Sequence, residues 1–306
     1  MYDIIPDIHG QYQKLQGLLE RLGYYRRNGA WRHAESERRI VFLGDYIDRG
    51  PENAKVIRTV RELMDADKAL AIMGNHELNA IHFHSRCETT GQFLRSHSDD
   101  NIKQHKAFLE EFPLDQAHTR EQIDWMKGLP LFLEFEHFRV VHACWSSDSV
   151  SVLEQHTQSG VLREEALLKA ASKDHELYEH LETVTKGPEI SLPEGYSFSD
   201  KGGKTRNHVR VAWWKSAPKQ WSDIAMSVPD PDLLPSVPLD PRLGIATYGA
   251  NEKPVFFGHY WMVGTPTLQS PNALCLDYSA GIDGPLLGYR FDSDNPSITT
   301  DNIVFC

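Results

Sequence analysis

Five short apolar runs recur along this chain, each followed by a polar turn: YDII at 2–5, RIVFLG at 39–44, LAIMG at 70–74, FRVV at 138–141 and PVFFG at 254–258. Runs this short and this continuously apolar predict strands buried on both faces. Between the first three the period changes to that of a helix. Tyr12, Leu15, Leu18, Leu19 and Leu22 share one face and stop at Gly23, and Pro51 opens a second helix carrying Val56, Val60 and Leu63. Residues 1 to 76 therefore predict a βαβαβ unit, with a parallel sheet and right-handed crossovers.

From about 78 to 130 the pattern is polar and helical, with helices expected at Asn101 to Phe112 and around Arg120 to Lys127, and we read it as an insertion. LFLEF and FRVV, separated at Glu136-His137, predict a hairpin. Residues 148 to 185 are again helical in pattern, and a second sheet is expected from VRVAWW through PVFFG and ALCLDY to PLLGYRF. The stretch 227–241 holds five prolines and cannot be a regular element, so it is read as a surface connector rather than an active-site lid. No internal repeat has a fixed period.

With 306 residues and 40% apolar content, the chain can bury the core of one large domain spanning 1–306. A net charge of -11, with a largest basic patch of only Tyr24-Tyr25-Arg26-Arg27, argues against nucleic acid as the main partner. Cys87, Cys144, Cys275 and Cys306 are widely spaced and without a Cys-x-x-Cys pair, as expected of reduced thiols in a cytoplasmic protein. MYDIIPDIHG leaves no room for a signal segment, and no apolar stretch reaches the ~20 residues of a membrane span. A cytoplasmic protein with no membrane partner is the expectation.

Each apolar run ends on a residue type that binds metal: Asp7 with His9, Asp45, Asn75, His142 and His259. Asp7 and His9 can point to one side of a turn that Gly10 permits. Gly44 allows close backbone approach beside Asp45, which could bridge two ions, and the following turn brings Asp48 and Arg49 to the same rim. Carboxylate, amide and imidazole without thiolate favour two divalent ions of the Mn, Fe or Zn kind over a structural zinc. One such residue at a strand end is ordinary; six at repeated strand ends describe a two-metal hydrolase.

Competing motifs fail on their own residues. GGKT at 202–205 would need a glycine at Phe198 to form a P-loop, and HELNA at 76–80 has Ala80 where a zinc protease needs its second histidine. His82 and His84 are expected to be solvated helix residues.

The ordered series DIHG, GDYIDRG, GNHE, VVHA and FFGHYW resembles the calcineurin-like metallophosphoesterases, in the phosphoprotein phosphatase branch that includes bacterial symmetrical diadenosine tetraphosphatases. The resemblance covers residues 3 to 291 and implies an α/β fold, a four-layer α/β/β/α sandwich of two mixed sheets with flanking helices. It implies a first metal on Asp7, His9 and Asp45 and a second on Asp45, Asn75, His142 and His259, with Mn expected and Fe or Zn as alternatives. By the same resemblance His76 is the proton donor, Asp48 orients it, and Arg49 grips phosphate alongside Asn75. An arginine before the last metal-binding histidine adds a phosphate contact in the tetraphosphatases; Arg210 fits that place best and Arg206 is runner-up, with packing over Trp213 or Trp214 as the alternative. LDYSAG at 276–281 resembles a loop near the family site, with no role given to Tyr278.

Two positions depart from the pattern. Pro6 and Ala143 stand where the family usually has glycine, so altered loop shape is expected there, with metal binding retained. The expected reaction is hydrolysis of a phosphomonoester, with a phosphoprotein as the expected substrate, by in-line attack of a metal-bridging hydroxide. A dinucleoside polyphosphate hydrolase is the alternative. A metal-binding scaffold without catalysis is the third reading, and the intact Asp48, Arg49 and His76 argue against it.

Overall fold

Strand β1 (Tyr2–Ile5), helix α1 (Tyr12–Leu22), β2 (Arg39–Phe42), α2 (Asn53–Asp65) and β3 (Ala69–Ala71) form the expected βαβαβ unit, with β1 parallel to β2 and β2 parallel to β3. The computed structural model describes residues 1–199 and 203–306; Gly202 of the GGKT segment lies outside the described residues. Helix α1 ends as its sequence predicts, on Gly23 at φ 99°, a left-handed conformation that glycine adopts without strain.

Helices α3 (Asn75–His84), α4 (Asp99–Glu111) and α5 (Ala117–Lys127) follow, α4 being capped by the Ser98 side chain on the Asn101 N–H. Then β4 (Phe132–Glu134) and β5 (Arg139–Val141) pair as the predicted antiparallel hairpin, Glu134 opposite Arg139. The region 148–185 is less continuously helical than expected. It contains α6 (Ser147–Glu154), α7 (Glu164–Lys169) and α8 (Tyr178–Lys186), with a small hairpin at 157–162 between the first two.

Beyond it lie β6 (Val255–Phe257), β7 (Ala273–Cys275), β8 (Leu287–Phe291) and β9 (Ile303–Phe305). Two of the strand placements differ from expectation. PLLGYRF does not join the second sheet; as β8 it runs antiparallel to β1 and completes the first, in the order β9-β8-β1-β2-β3. VRVAWW does not join it either: His208–Val211 is the middle strand of a separate three-stranded sheet, and Trp213 and Trp214 turn back over the outer face of β6. The second main sheet is β7-β6-β5-β4, parallel except for the hairpin.

The two sheets stack face to face, and the alternation along each strand shows it. Ile4, Val41 and Ile72 from the first sheet meet Val140, Phe256 and Leu274 from the second in one apolar layer, where Phe256 contacts Tyr289 at 4.8 Å and Phe138 contacts Phe291 at 4.4 Å. Their chain neighbours Ile5, Ile40, Phe42, Val255, Phe257 and Cys275 face the opposite way, into the cores under the outer layers. Each fully buried Leu, Ile or Phe contributes about 1.5–3 kcal/mol, so both faces of both sheets are fixed by packing. This is the expected α/β sandwich with mixed sheets.

The proline-rich stretch is irregular, as its composition requires, with single 3-10 turns at Pro231–Leu233 and Pro241–Leu243. All four cysteines are free. No helix among the described residues is long and apolar enough to cross a membrane.

Candidate metal centre

The carboxyl ends of both sheets meet at one edge of the sandwich. Asp7 follows β1 by two residues, Asp45 follows β2 by three, Asn75 begins α3, His142 directly follows β5, and His259 follows β6 by two. All six predicted ligands are buried there.

Glycines allow these loops to touch. A side chain at Gly44 would strike the Gly74 backbone, one at Gly74 would strike the Asp45 carboxylate, and one at Gly258 would strike the Asp7 carboxylate. The glycine before Asp45, Asn75 and His259 is therefore a steric requirement. Ala143 meets none: it keeps a negative φ and donates its N–H to the Val184 carbonyl at 2.9 Å, so its methyl is accommodated. Five of the residues expected at the site from sequence do adopt left-handed backbone, His9 (φ 49°), Asp45 (54°), Asp48 (70°), Arg49 (66°) and His259 (71°), and so does Trp261 (53°). Such conformations cluster at sites where surrounding structure enforces them.

The donor atoms fit two cations. His9 donates Nδ1–H to the Ile47 carbonyl at 2.9 Å, which leaves the lone pair of Nε2 pointing into the cluster, buried, without a hydrogen bond, and 3.6 Å from Asp45 Oδ2. Two acceptors thus face each other. On the other side His142 donates Nδ1–H to the Leu43 carbonyl at 2.7 Å and turns Nε2 to Asn75 Oδ1 at 3.1 Å and Asp45 Oδ1 at 3.4 Å, two oxygens that a proton or a cation at Nε2 must reconcile. His259 Nδ1 lies 2.7 Å from the same Asn75 oxygen. His9, Asp45 and His76 form one group and Asp45, His142 and His259 another, each with its ligand atoms within 4.8 Å of one another and with Asp45 common to both; Asp7 and the Asn75 amide stand beside these groups, and His76 is also engaged by Asp48.

The electrostatics ask for positive charge. Burial disfavours charge on His142, but the Asp45 and Asp7 carboxylates outweigh it and push its pKa up to about 10. Burial, with Asp277 and Asp45 nearby, raises the Asp7 carboxyl well above the usual carboxylate range. A lone pair without a proton on His9, whose pKa burial lowers to about 3, beside such carboxylates is what a divalent cation resolves.

His76 and Asp48 are joined: His76 Nδ1 meets Asp48 Oδ2 at 2.5 Å, and His76 Nε2 faces the cluster, 4.0 Å from Asp45 Oδ2. Burial opposes ionisation of Asp48, yet hydrogen bonds from His105 and His76 prevail and hold its pKa below the carboxylate range. Arg49 lies with its guanidinium 3.8 Å from the centre of the Trp261 ring. Arg210, on the small third sheet, lines a cavity that opens from Asp45, Asn75, His76 and His259, and its guanidinium stands 5.7 Å from the Tyr260 ring rather than over Trp213 or Trp214. Arg206 is exposed on a two-residue strand and does not line that cavity.

Four residues escaped the sequence reading. Glu77, quoted within GNHE but given no role, accepts the N–H groups of Asp45 (2.8 Å), Tyr46 (2.8 Å) and Gly74 (2.9 Å). Asp277, within LDYSAG, accepts the N–H groups of Trp261 and Ser279. Trp261 carries Arg49, and His105 holds the second oxygen of Asp48 at 2.8 Å. His82 and His84 are not solvated: His82 is buried and donates to the Leu167 carbonyl at 2.9 Å, and His84 meets His105 at 3.1 Å. The segment after α3 and helix α7 cover them.

A fold with the carboxyl edges of two stacked sheets converging on paired acceptor clusters is that of a metallophosphoesterase. Residues 2–182, more than half of the chain, match the model of the calcineurin-like phosphoesterases, and the chain belongs to that family. Among curated relatives it is similar to the asymmetrical bis(5'-nucleosyl)-tetraphosphatase PrpE of Oceanobacillus iheyensis, 32% identical over 173 residues, 52% of this chain and 62% of that one. It is also similar to PrpE of Bacillus subtilis, 36% identical over 135 residues, 40% of this chain and 55% of that one. The chain thus spans a little more than half the length of these relatives. Among solved structures it resembles a protein serine/threonine phosphatase from Saccharomyces cerevisiae, at 13% identity and a TM-score of 0.47, over 99% of this chain and 78% of that one.

Proposed function

We propose that this metal-dependent phosphoric ester hydrolase acts on a dinucleoside polyphosphate, cutting a phosphoanhydride next to the site formed by Asp7, His9, Asp45, Asn75, His142 and His259. The supporting observation is the cavity that opens from Asp45, Asn75, His76 and His259. It measures about 1760 Å³ and carries Arg49 and Arg210 near the metal cluster and Arg95, Lys103, Lys106, Lys173 and Lys186 further out. Pockets for compact ligands occupy about 300–1,000 Å³, so this one has room for more than a phosphate and a small alcohol. Seven cations line it against five carboxylates, Asp45, Glu110, Glu179, Glu182 and Glu189, with Lys106 paired to Glu110 and Lys186 to Glu182; the remaining surplus of positive charge, in a chain of net charge -11, suits a substrate bearing several phosphates. The phosphoprotein reading, first choice on sequence grounds, gives way because the curated relatives are named for tetraphosphatase activity.

Two divalent ions, Mn in the first instance, would make a bound water a nucleophile near neutral pH and neutralise phosphoryl charge. The protein's own groups do the rest. Arg49 and Arg210 bind phosphoryl oxygens, Trp261 holds the Arg49 guanidinium in place, and His76 gives its Nε2 proton to the departing oxygen while Asp48 holds Nδ1.

Diadenosine tetraphosphate, a phosphoserine peptide and nitrophenyl phosphate, assayed side by side with Mn, test the proposal. The expected result is a kcat/KM for the tetraphosphate at least about a hundredfold above the peptide, with ATP and AMP as products. A higher kcat/KM on the peptide would return the reading to a phosphoprotein phosphatase, and two ADP would make the cleavage symmetrical.

A further inference from the structure

Helix α4 reaches the catalytic histidine through one side chain. His105 Nδ1 lies 2.8 Å from Asp48 Oδ1, while the other oxygen of that carboxylate is taken by His76 Nδ1. We propose that His105 is a positioning residue: it fixes the plane of the Asp48 carboxylate, and through it the ring orientation and tautomer of His76. The proposal rests on the reading of His76 as proton donor.

The geometry leaves little freedom. His105 is buried, and its ring is stacked on Phe108 (centroids 4.8 Å, 20° between planes) with the Phe83 ring at 5.1 Å, so its plane is set by packing. An ionised carboxylate only accepts, so His105 Nδ1 must carry hydrogen and donate it to Asp48. In a neutral ring Nε2 is then an acceptor, and His84 Nε2, 3.1 Å away, supplies the donor. Burial holds His84 neutral, lowering its pKa to about 3. The hydrogen-bond order runs from His84 to His105 to Asp48, with His76 donating to the other side of the same carboxylate. With both oxygens engaged, Asp48 cannot rotate away, and His76 keeps its hydrogen on Nδ1 when neutral, with Nε2 turned to the site. The Asp48 N–H is held as well, on Asn53 Oδ1 at 2.6 Å.

Residue His105 matters here only through Asp48, which sets the test. His105→Leu keeps an apolar side chain among Phe83 and Phe108 and removes the donor, whereas His105→Asn places an amide N–H where Nδ1 stood. The substrates are an alkyl phosphate, whose leaving oxygen needs a proton, and nitrophenyl phosphate, whose leaving group departs without one. His105→Leu should lower kcat on the alkyl phosphate about tenfold or more, change nitrophenyl phosphate turnover less than about threefold, and leave metal content and KM nearly unaltered; His105→Asn should restore most of the loss. Equal losses on both substrates, an Asn variant no better than Leu, or undiminished alkyl phosphate turnover would overturn the assignment. A second readout needs no activity: in nitrogen-15 spectra of the wild-type protein, His105 Nδ1 should carry the hydrogen it donates to Asp48, and a bare Nδ1 would sink the proposal. If the protein hydrolysed no phosphoric ester, the catalytic reading would fail, and these spectra would still decide the His105 hydrogen bond.

Discussion

The carboxylate of Glu77 accepts the backbone N–H of Asp45 at 2.8 Å, so the residue common to both candidate ligand groups is held through its main chain by a side chain in the first turn of α3. The same carboxylate takes the N–H groups of Tyr46 and Gly74, joining the GDYIDRG and GNHE turns. Burial, with Asp45 beside it, pushes the Glu77 pKa up to about 7.

Glu77→Ala should strand those three donors in a buried place. An unsatisfied buried donor costs about 1–3 kcal/mol, so a loss of at least about 3 kcal/mol is expected, read as the urea midpoint of the metal-free protein. Glu77→Gln, which keeps one acceptor oxygen, should lose less. A Glu77→Ala protein as stable as the wild type would show that the turns hold themselves.

Asp45 belongs to both ligand groups, so Asp45→Asn should weaken both ions together. Elemental analysis after dialysis against a weak chelator should show about two ions per chain in the wild type and fewer than one in the variant. His9→Ala, which touches one group only, should retain about one ion.

For the departing oxygen, the cost of losing His76 should depend on what leaves. General acid catalysis contributes about 10² to 10⁴ in rate, so His76→Asn should slow an alkyl phosphate by that range and nitrophenyl phosphate far less, with metal still bound. Stopped assays on the two substrates at matched metal occupancy measure this. Equal losses would make His76 a residue that shapes the site without giving up a proton.

Acid should destabilise the fold through His82. Burial lowers its pKa from 6.5 to about 4, so the unfolded chain takes up a proton that the folded chain refuses. The stability due to neutral His82 is complete above pH 6.5 and is lost as pH falls towards 4, by up to about 3 kcal/mol. His82→Gln, which retains an amide donor for the Leu167 carbonyl but does not titrate, should flatten the urea midpoint against pH across that window. An unchanged slope would place the acid sensitivity elsewhere.

Much of this was written in the chain at short range. The strands announce themselves because residues such as Ile4 and Ile5, or Phe256 and Phe257, bury opposite faces and leave no polar alternation, and a residue with metal-ligand chemistry follows each one. Partner choice was not local. PLLGYRF has the same apolar pattern whichever sheet it joins, and only its packing against β1 places it in the first. His105 sits on a polar helix whose spacing gives no sign that one ring reaches Asp48, 57 residues earlier. His82 and His84 looked exposed because the chain that covers them arrives from α7 and from the segment beyond α3, far from the pattern of α3 itself.

The left-handed backbone at His9, Asp45, Asp48, Arg49 and His259 gives the site an evolutionary fragility. A side chain in that conformation costs roughly 1–2 kcal/mol that glycine would not incur. Drift that rewarded only a sturdier metal-free fold would therefore favour glycine at these very positions and erase the chemistry first. Keeping a side chain at each of them trades stability of the metal-free fold for the donor and charged groups of the site.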